Sequence, residues 1–127
     1  MKTPLSHTPP MGWNSWNTFG PNINETVVME MTDLMVEKGY RDAGYEYVVI
    51  DDCWALRERN EKGELVPDPE KFPHGMKYIA DKIHDKGYKA GIWLAPFNCQ
   101  KISRMAKEHP DWLIKDTNGK PMVGCIA

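Results

Sequence analysis

Two adjacent carboxylates, Asp51 and Asp52, are the groups in this 127-residue chain best placed to do chemistry. They end the segment YVVIDDCW, residues 47–54. Before them, Tyr47, Val48, Val49 and Ile50 form an uninterrupted run of strand formers. Such a run is expected of a strand buried on both faces, in a parallel sheet covered by helices. The carboxyl ends of parallel strands are where α/β proteins bind ligands. Aspartates also favour turns for local reasons. Taken alone, the pair therefore reads equally as a site or as a turn cap beside a solvated neighbour. Acid and base in glycosyl transfer must flank the scissile bond, with carboxyls roughly 5–5.5 Å apart for retention and wider for inversion. Neighbours on one peptide do not suit that task. They suit charge-assisted hydrogen bonds from adjacent hydroxyl groups. A divalent cation is the competing use of paired carboxylates, but the further oxygen ligands it needs are not evident nearby. No metal site is expected.

The chain also holds five tryptophans. Trp13, Trp16, Trp54 and Trp93 lie in or just beyond predicted strands rather than forming one core stripe. A single tryptophan is most simply a core residue. Several at strand ends beside carboxylates match the way proteins hold sugars, with an apolar platform next to hydroxyl acceptors.

The elements that must position these groups follow from periodicity. A short strand is predicted around Met11–Trp13, then a loop through Gly20 and Pro21. Asn24 stands at a helix N-cap position, ahead of a helix to Lys38. Val27, Val28, Met31, Leu34 and Met35 give that helix an apolar face, and Gly39 stops it. The second strand is Tyr47–Ile50. A long polar loop follows from Trp54 to Pro73, with a hairpin-like turn at Lys62 and Gly63 and prolines that bar a regular helix. A second amphipathic helix spans Met76–Lys86, burying Met76, Ile79, Ala80 and Ile83 and stopping at Gly87. The third strand is Ala90–Ala95, ended by Pro96. The order β-α-β-α-β implies parallel strands with right-handed crossovers. Further on, Ser103–Glu108 forms a short helix, and Leu113–Met122 a small hairpin turning at Asn118 and Gly119.

Composition narrows the classes. A formal charge of −2 offers no basic footprint for nucleic acid and no cationic membrane face. No apolar run approaches the ~18 residues of a membrane span. The N-terminal residues MKTPLSHTPP contain no apolar signal core. Cys53, Cys99 and Cys125 form neither a disulfide framework nor a zinc spacing, so a reduced, cytoplasmic setting is expected.

Together, PPMGWNSWNTFG, the helix after Asn24, GYRDAGYEYVVIDDCW, VPDPEKFPHGM and IHDKGYKAGIW resemble the opening of the α-galactosidase (melibiase) family. These are retaining glycoside hydrolases with a (β/α)8-barrel catalytic domain. The resemblance covers nearly all of residues 8–93, and MGWNSW with IDDCW is highly specific. The segment GIWLAPF…HPDWLIKDTNGKPM is more similar to a bacterial branch of the same clan, in which Trp replaces the Tyr that follows GI in many members.

The resemblance implies a galactose pocket lined by Trp16, Asp51, Asp52 and Trp93, with the acids on sugar hydroxyls and the aromatics on the ring. Trp54 and Cys99 are weaker rim candidates. Cys53, a frequent disulfide partner in the family, has no evident mate. The family's nucleophile lies in a KxD-like motif after barrel strand four, and its acid/base in an RxxD-like loop near strand six. Neither motif occurs here, and Asp111 and Asp116 stand in contexts unlike both. The expectation is thus a single α/β domain over 1–127, a partial (β/α)8 TIM barrel of about three βα units. It would carry the sugar-pocket half, bind an α-galactoside or galactose, use no cofactor and contain no catalytic residue of its own. A whole barrel typically takes about 250 residues. Open strand edges would mark a piece of a longer enzyme, or be covered by a complementary barrel half or by copies in a homo-oligomer. Two other readings remain: a non-catalytic carbohydrate-binding or self-assembling partial barrel, natural or engineered, and an association protein that keeps only the fold.

Overall fold

The computed structural model describes residues 8–95 and 99–122. The described residues within Met1–Ala55 and Pro67–Trp93 make one compact unit, and those within Leu56–Val66 and Leu94–Ala127 make a second. None of their helices is long and apolar enough to cross a membrane.

The first unit is an α/β layer pair. Strands β1 (Gly12–Asn14), β2 (Tyr47–Ile50) and β5 (Lys89–Ile92) form a parallel sheet in the order β1-β2-β5. Register is set by the pairs Trp13–Val48 and Val48–Ala90. The connections run through α1 (Trp16–Phe19) and α2 (Glu25–Glu37), and later through α3 (Gly75–Asp85). Parallel strands require such crossovers.

Helix α2 begins where its cap permits. The Asn24 side chain accepts a hydrogen bond from the Val27 amide at 2.9 Å, satisfying one of the first turn's open donors. Its buried face is Val28, Thr32 and Met35, whereas Leu34 is exposed. The expected stripe is thus rotated. Thr32 can occupy it because its hydroxyl donates to the Val28 carbonyl at 2.7 Å, leaving no bare polar atom. Helix α3 contributes Ile79 and Ile83, both essentially inaccessible, and packs against α2. With Ile23, Val48, Ile50, Phe72 and Tyr88 these residues form the core.

Strand β2 departs from the expected two-sided burial. Val48 and Ile50 are buried, but Tyr47 and Val49 are only half-buried. Side chains alternate along a strand, so one face of β2 joins the helical core. The other carries Gly12, Asn14, Tyr47, Val49 and Gly91, related by the register. Small residues are needed there: a Cβ on Gly12 would stand 2.3 Å from the Tyr47 carbonyl oxygen, and one on Gly91 2.9 Å from Val49 Cγ2. The outer strands are also shifted, and β5 is shorter than expected. β1 starts one residue later than Met11, and β5 ends at Ile92 rather than Ala95. The region expected to be loop after Trp13 includes the single turn α1. At the amino-terminal end of the sheet, Glu46 pairs with Lys89 at 2.6 Å. The hydrogen bond and charge of Lys89 hold the Glu46 carboxyl below its ordinary range, and Glu46 raises Lys89 reciprocally.

β3 (Ala55–Arg59) and β4 (Leu65–Pro67), all but Ala55 and Pro67 in the second unit, pair as a two-stranded sheet inside what the sequence suggests is a long loop. The turn between them falls at the expected place. Asn60 Oδ1 accepts from the amides of Lys62 and Glu64, and Arg59 ties the turn to Gln100. Ser103 caps α4 (Arg104–Glu108), and Pro110–Trp112 forms a 3₁₀ turn in which Trp112 stacks on His109. The expected hairpin turn is present. Lys115 bridges Pro121 antiparallel, Asp116 Oδ1 accepts from Asn118 and Lys120, and Gly119 takes the left-handed conformation. Pro96 and Cys125 lie outside the described residues.

Three substitutions test this packing. Ile83→Ala should cost about 2–5 kcal/mol and Asn24→Ala about 1 kcal/mol, measured as a shift in urea midpoint at constant slope. Gly12→Ala should cost about 1–3 kcal/mol through overpacking. A Gly12→Ala chain as stable as the parent would mean that β1 does not approach Tyr47 this closely.

Candidate functional site

At the carboxyl end of β2 the backbone remains fully engaged. Ser15 donates its amide to the Val49 carbonyl at 3.2 Å, and Trp93 donates to the Ile50 carbonyl at 2.8 Å. Both neighbouring chains thus stay paired with β2 to its last residue. The next amide, Asp51 N, donates to the hydroxyl of Ser15 at 2.9 Å, and Ser15 is wholly buried. A side chain here takes over from the sheet ladder.

Each carboxylate uses one oxygen to shape its own turn. Asp51 Oδ1 accepts from the Asp52 amide at 2.8 Å, and Asp52 Oδ1 from the Cys53 amide at 2.7 Å. Asp51 Oδ2 accepts from Asn14 Nδ2 at 2.7 Å. No donor among the described residues reaches Asp52 Oδ2, and both aspartates are half-buried. Cys53 has φ +68°, the only non-glycine residue among those described with a positive φ. That conformation costs an L-residue about 1–2 kcal/mol. It persists because both sides of the turn are held. Lys71 Nζ donates to the Cys53 carbonyl at 2.9 Å, and the Asp68 amide donates to the Trp54 carbonyl at 2.9 Å.

The aromatic candidates separate into two groups. Trp16 opens α1 and is 37% exposed, and its amide donates to Asn14 Oδ1 at 2.9 Å. Asn14 therefore links Asp51 to the helix that carries Trp16. Trp93 is half-buried and joined to β2 through its backbone. Trp54 is not a rim residue. It is 8% exposed, with its indole N–H donating to the Trp93 carbonyl at 3.1 Å, so it packs beneath the turn. Trp13 packs edge-on against Phe19. Cys99 belongs to the second unit.

Trp16, Asp51, Asp52 and Trp93 thus stand together at the carboxyl end of one parallel sheet. Asn14, Ser15 and Lys71 are the supporting residues that sequence reasoning passed over. Strand alternation signals Asn14, which shares a face with Val49. Nothing local in the sequence signals Lys71. Chemically, the arrangement offers a carboxylate oxygen unengaged among the described residues, a second carboxylate next to it in the chain, and an exposed indole at the same sheet end. That set suits a neutral, hydroxyl-rich ligand with one apolar face. Among the described residues no group of three or more His, Cys, Asp or Glu is placed to hold a metal ion.

Comparison with known proteins points the same way. The family model described as Alpha galactosidase A matches residues 8–101. Alpha-galactosidase 3 of Arabidopsis thaliana is 52% identical over 98 residues, covering 76% of this chain and 22% of that protein. The crystal structure of α-galactosidase I from Mortierella vinacea aligns with a TM-score of 0.68 at 44% identity, over 72% of this chain and 23% of that one. The α-galactosidase of Thermus thermophilus in complex with p-nitrophenyl α-D-galactopyranoside aligns at 0.65 and 33% identity, over 93% of this chain and 22% of that one. The chain spans about a quarter or less of the length of the curated relatives it matches. On the extent of the family match and the level of identity over these residues, the chain belongs to the α-galactosidase family of glycoside hydrolases.

Proposed function

We propose that this chain carries part of the sugar pocket of a retaining α-galactosidase, on about the first three βα units of a (β/α)8 barrel. The observation that carries the reading is the double-aspartate turn at the tip of β2, with one Asp52 oxygen unengaged among the described residues and Trp16 and Trp93 at the same sheet end. In this reading Asp51 and Asp52 accept hydrogen bonds from neighbouring galactose hydroxyls, and the two tryptophans lie against the apolar side of the ring. Their role is to bind and orient, converting a bimolecular encounter into a fixed geometry. The two aspartates share one turn and cannot flank the scissile bond. The nucleophile and the acid/base of the double displacement therefore come from segments outside these 127 residues.

A second reading has its own observation. β1 and β5 each pair only with β2 among the described residues, so each presents an open edge. Open edges recruit further strands. A complementary barrel segment is the partner expected in the enzyme reading; a second copy of this chain is the partner in a self-assembling, sugar-binding reading.

Isothermal titration with galactose tests the pocket. Asp51→Asn or Asp52→Asn should weaken galactose binding about 10- to 100-fold, the range for losing a charge-assisted hydrogen bond. Any binding of glucose, which differs at the position-four hydroxyl, should fall less. Equal losses for the two sugars would remove the aspartates from hydroxyl recognition. Sedimentation velocity separates the two partner readings. A defined oligomer of this chain favours self-assembly, and a monomer that becomes hydrolytically active only with the complementary segment favours the enzyme.

A further inference from the structure

The side chain of Lys71 is half-buried, yet it makes no ion pair among the described residues. A lysine ammonium is strongly hydrated and normally stays in water or meets a carboxylate. Here it donates to two backbone carbonyls, that of Cys53 at 2.9 Å and that of Pro21 at 2.9 Å. These carbonyls belong to the two segments that present the pocket. Cys53 follows Asp52, and Pro21 lies two residues beyond the helix that begins at Trp16.

The lysine is itself held in place. Its amide donates to the Asp68 carbonyl at 3.2 Å, and its carbonyl accepts from Glu25 N, the first amide of α2, at 2.8 Å. Asp68 Oδ1 closes the local turn onto Glu70, and the next residue, Phe72, is buried in the core. The ammonium therefore projects from a rigid base.

Cys53 shows what the contact does. Its amide goes to Asp52 Oδ1 and its carbonyl to Lys71, so the peptides on both sides of the strained φ are restrained. A left-handed non-glycine residue persists only where its surroundings over-determine it. Without the ammonium, the peptide after Cys53 can rotate toward an ordinary conformation, loosening the turn whose preceding peptide donates to Asp52 Oδ1.

We propose that Lys71 is a positioning residue of the pocket: its ammonium, seated between the Cys53 and Pro21 carbonyls, fixes the Asp52 carboxylate relative to Trp16. This rests on the sugar-pocket reading for its functional consequence and on the turn geometry alone for its structural one. Lysine is the fitting residue. Its tetrahedral head directs donors to two separate carbonyls, whereas a planar guanidinium suits a single bidentate acceptor.

The test combines galactose titration with amide hydrogen exchange on the full chain. Lys71→Met should weaken galactose binding about tenfold, as expected for losing hydrogen bonds from a charged donor, and should accelerate exchange at Cys53 and its neighbours. Ile79→Val, a core substitution remote from the turn, lowers stability and should leave the affinity in place. Lys71→Arg should recover part of the loss. Unchanged affinity in Lys71→Met, or an equal loss in Ile79→Val, overturns the proposal. Should Lys71→Met fail to fold, Lys71→Gln, neutral and too short to span both carbonyls, is judged by the same results. If the parent chain does not bind galactose, the pocket reading fails, and exchange alone decides the clamp. Faster exchange confined to the turn supports it, and unchanged exchange overturns it.

Discussion

A parallel strand in the middle of its sheet has backbone groups to satisfy on both sides up to its final residue, and they cannot be left bare without a cost of about 1–3 kcal/mol each. β2 meets that constraint to its end, with Ser15 pairing on one side and Trp93 on the other. Because the ladder continues to the end, whatever follows Ile50 emerges from a fixed frame. The Ser15 hydroxyl then extends the frame by one residue, receiving the Asp51 amide in a fully buried position. Positions of the carboxylates, the exposed indole on α1 and the backbone of Trp93 all descend from this pairing.

The aspartates therefore serve two purposes at once. One oxygen of each is consumed in building the turn, Asn14 holds the second oxygen of Asp51, and only Asp52 Oδ2 has no donor among the described residues. The strain at Cys53 belongs to the same economy of space. The left-handed backbone at Cys53 directly follows the second carboxylate, and contacts from the 68–71 segment to the Cys53 and Trp54 carbonyls hold it. Strain confined to such a position, and counterbalanced by surrounding hydrogen bonds, is characteristic of sites that must be preorganised. Trp54 supports the turn from the core: its indole N–H donates to the Trp93 carbonyl and its side chain is buried.

Much of this was legible in the residues themselves. Asn24 as a cap, the helix read to Lys38 that ends at Glu37, the strand 47–50, the helix read over Met76–Lys86 that spans Gly75–Asp85, and the turn at Asn118 and Gly119 are local features, driven by capping, periodicity and turn chemistry. The family motifs placed Trp16, Asp51, Asp52 and Trp93 in one set. What local pattern misjudged was burial. Leu34 and Thr32 exchange roles on α2, Val49 is not covered as Val48 is, and Trp54 is core rather than rim. The β3–β4 pair was likewise hidden, because charged residues in Ala55–Arg59 mask strand character that depends on pairing with a partner.

By itself, then, the sequence determined the β-α-β-α-β order of the parallel strands and the two long helices, the caps and stops of those helices, and the identity of the carboxylates and aromatics available at the strand ends, since each depends on neighbours within a few positions. Tertiary structure decided that the second Asp51 oxygen meets Asn14, which tryptophan is packed away, and that Asn14, Ser15 and Lys71 support the turn. Those outcomes rest on hydrogen bonds between residues 18 to 50 positions apart, as between Cys53 and Lys71 or Pro21 and Lys71. Such contacts exist only once the chain has closed its sheet, and no periodicity in the sequence encodes them.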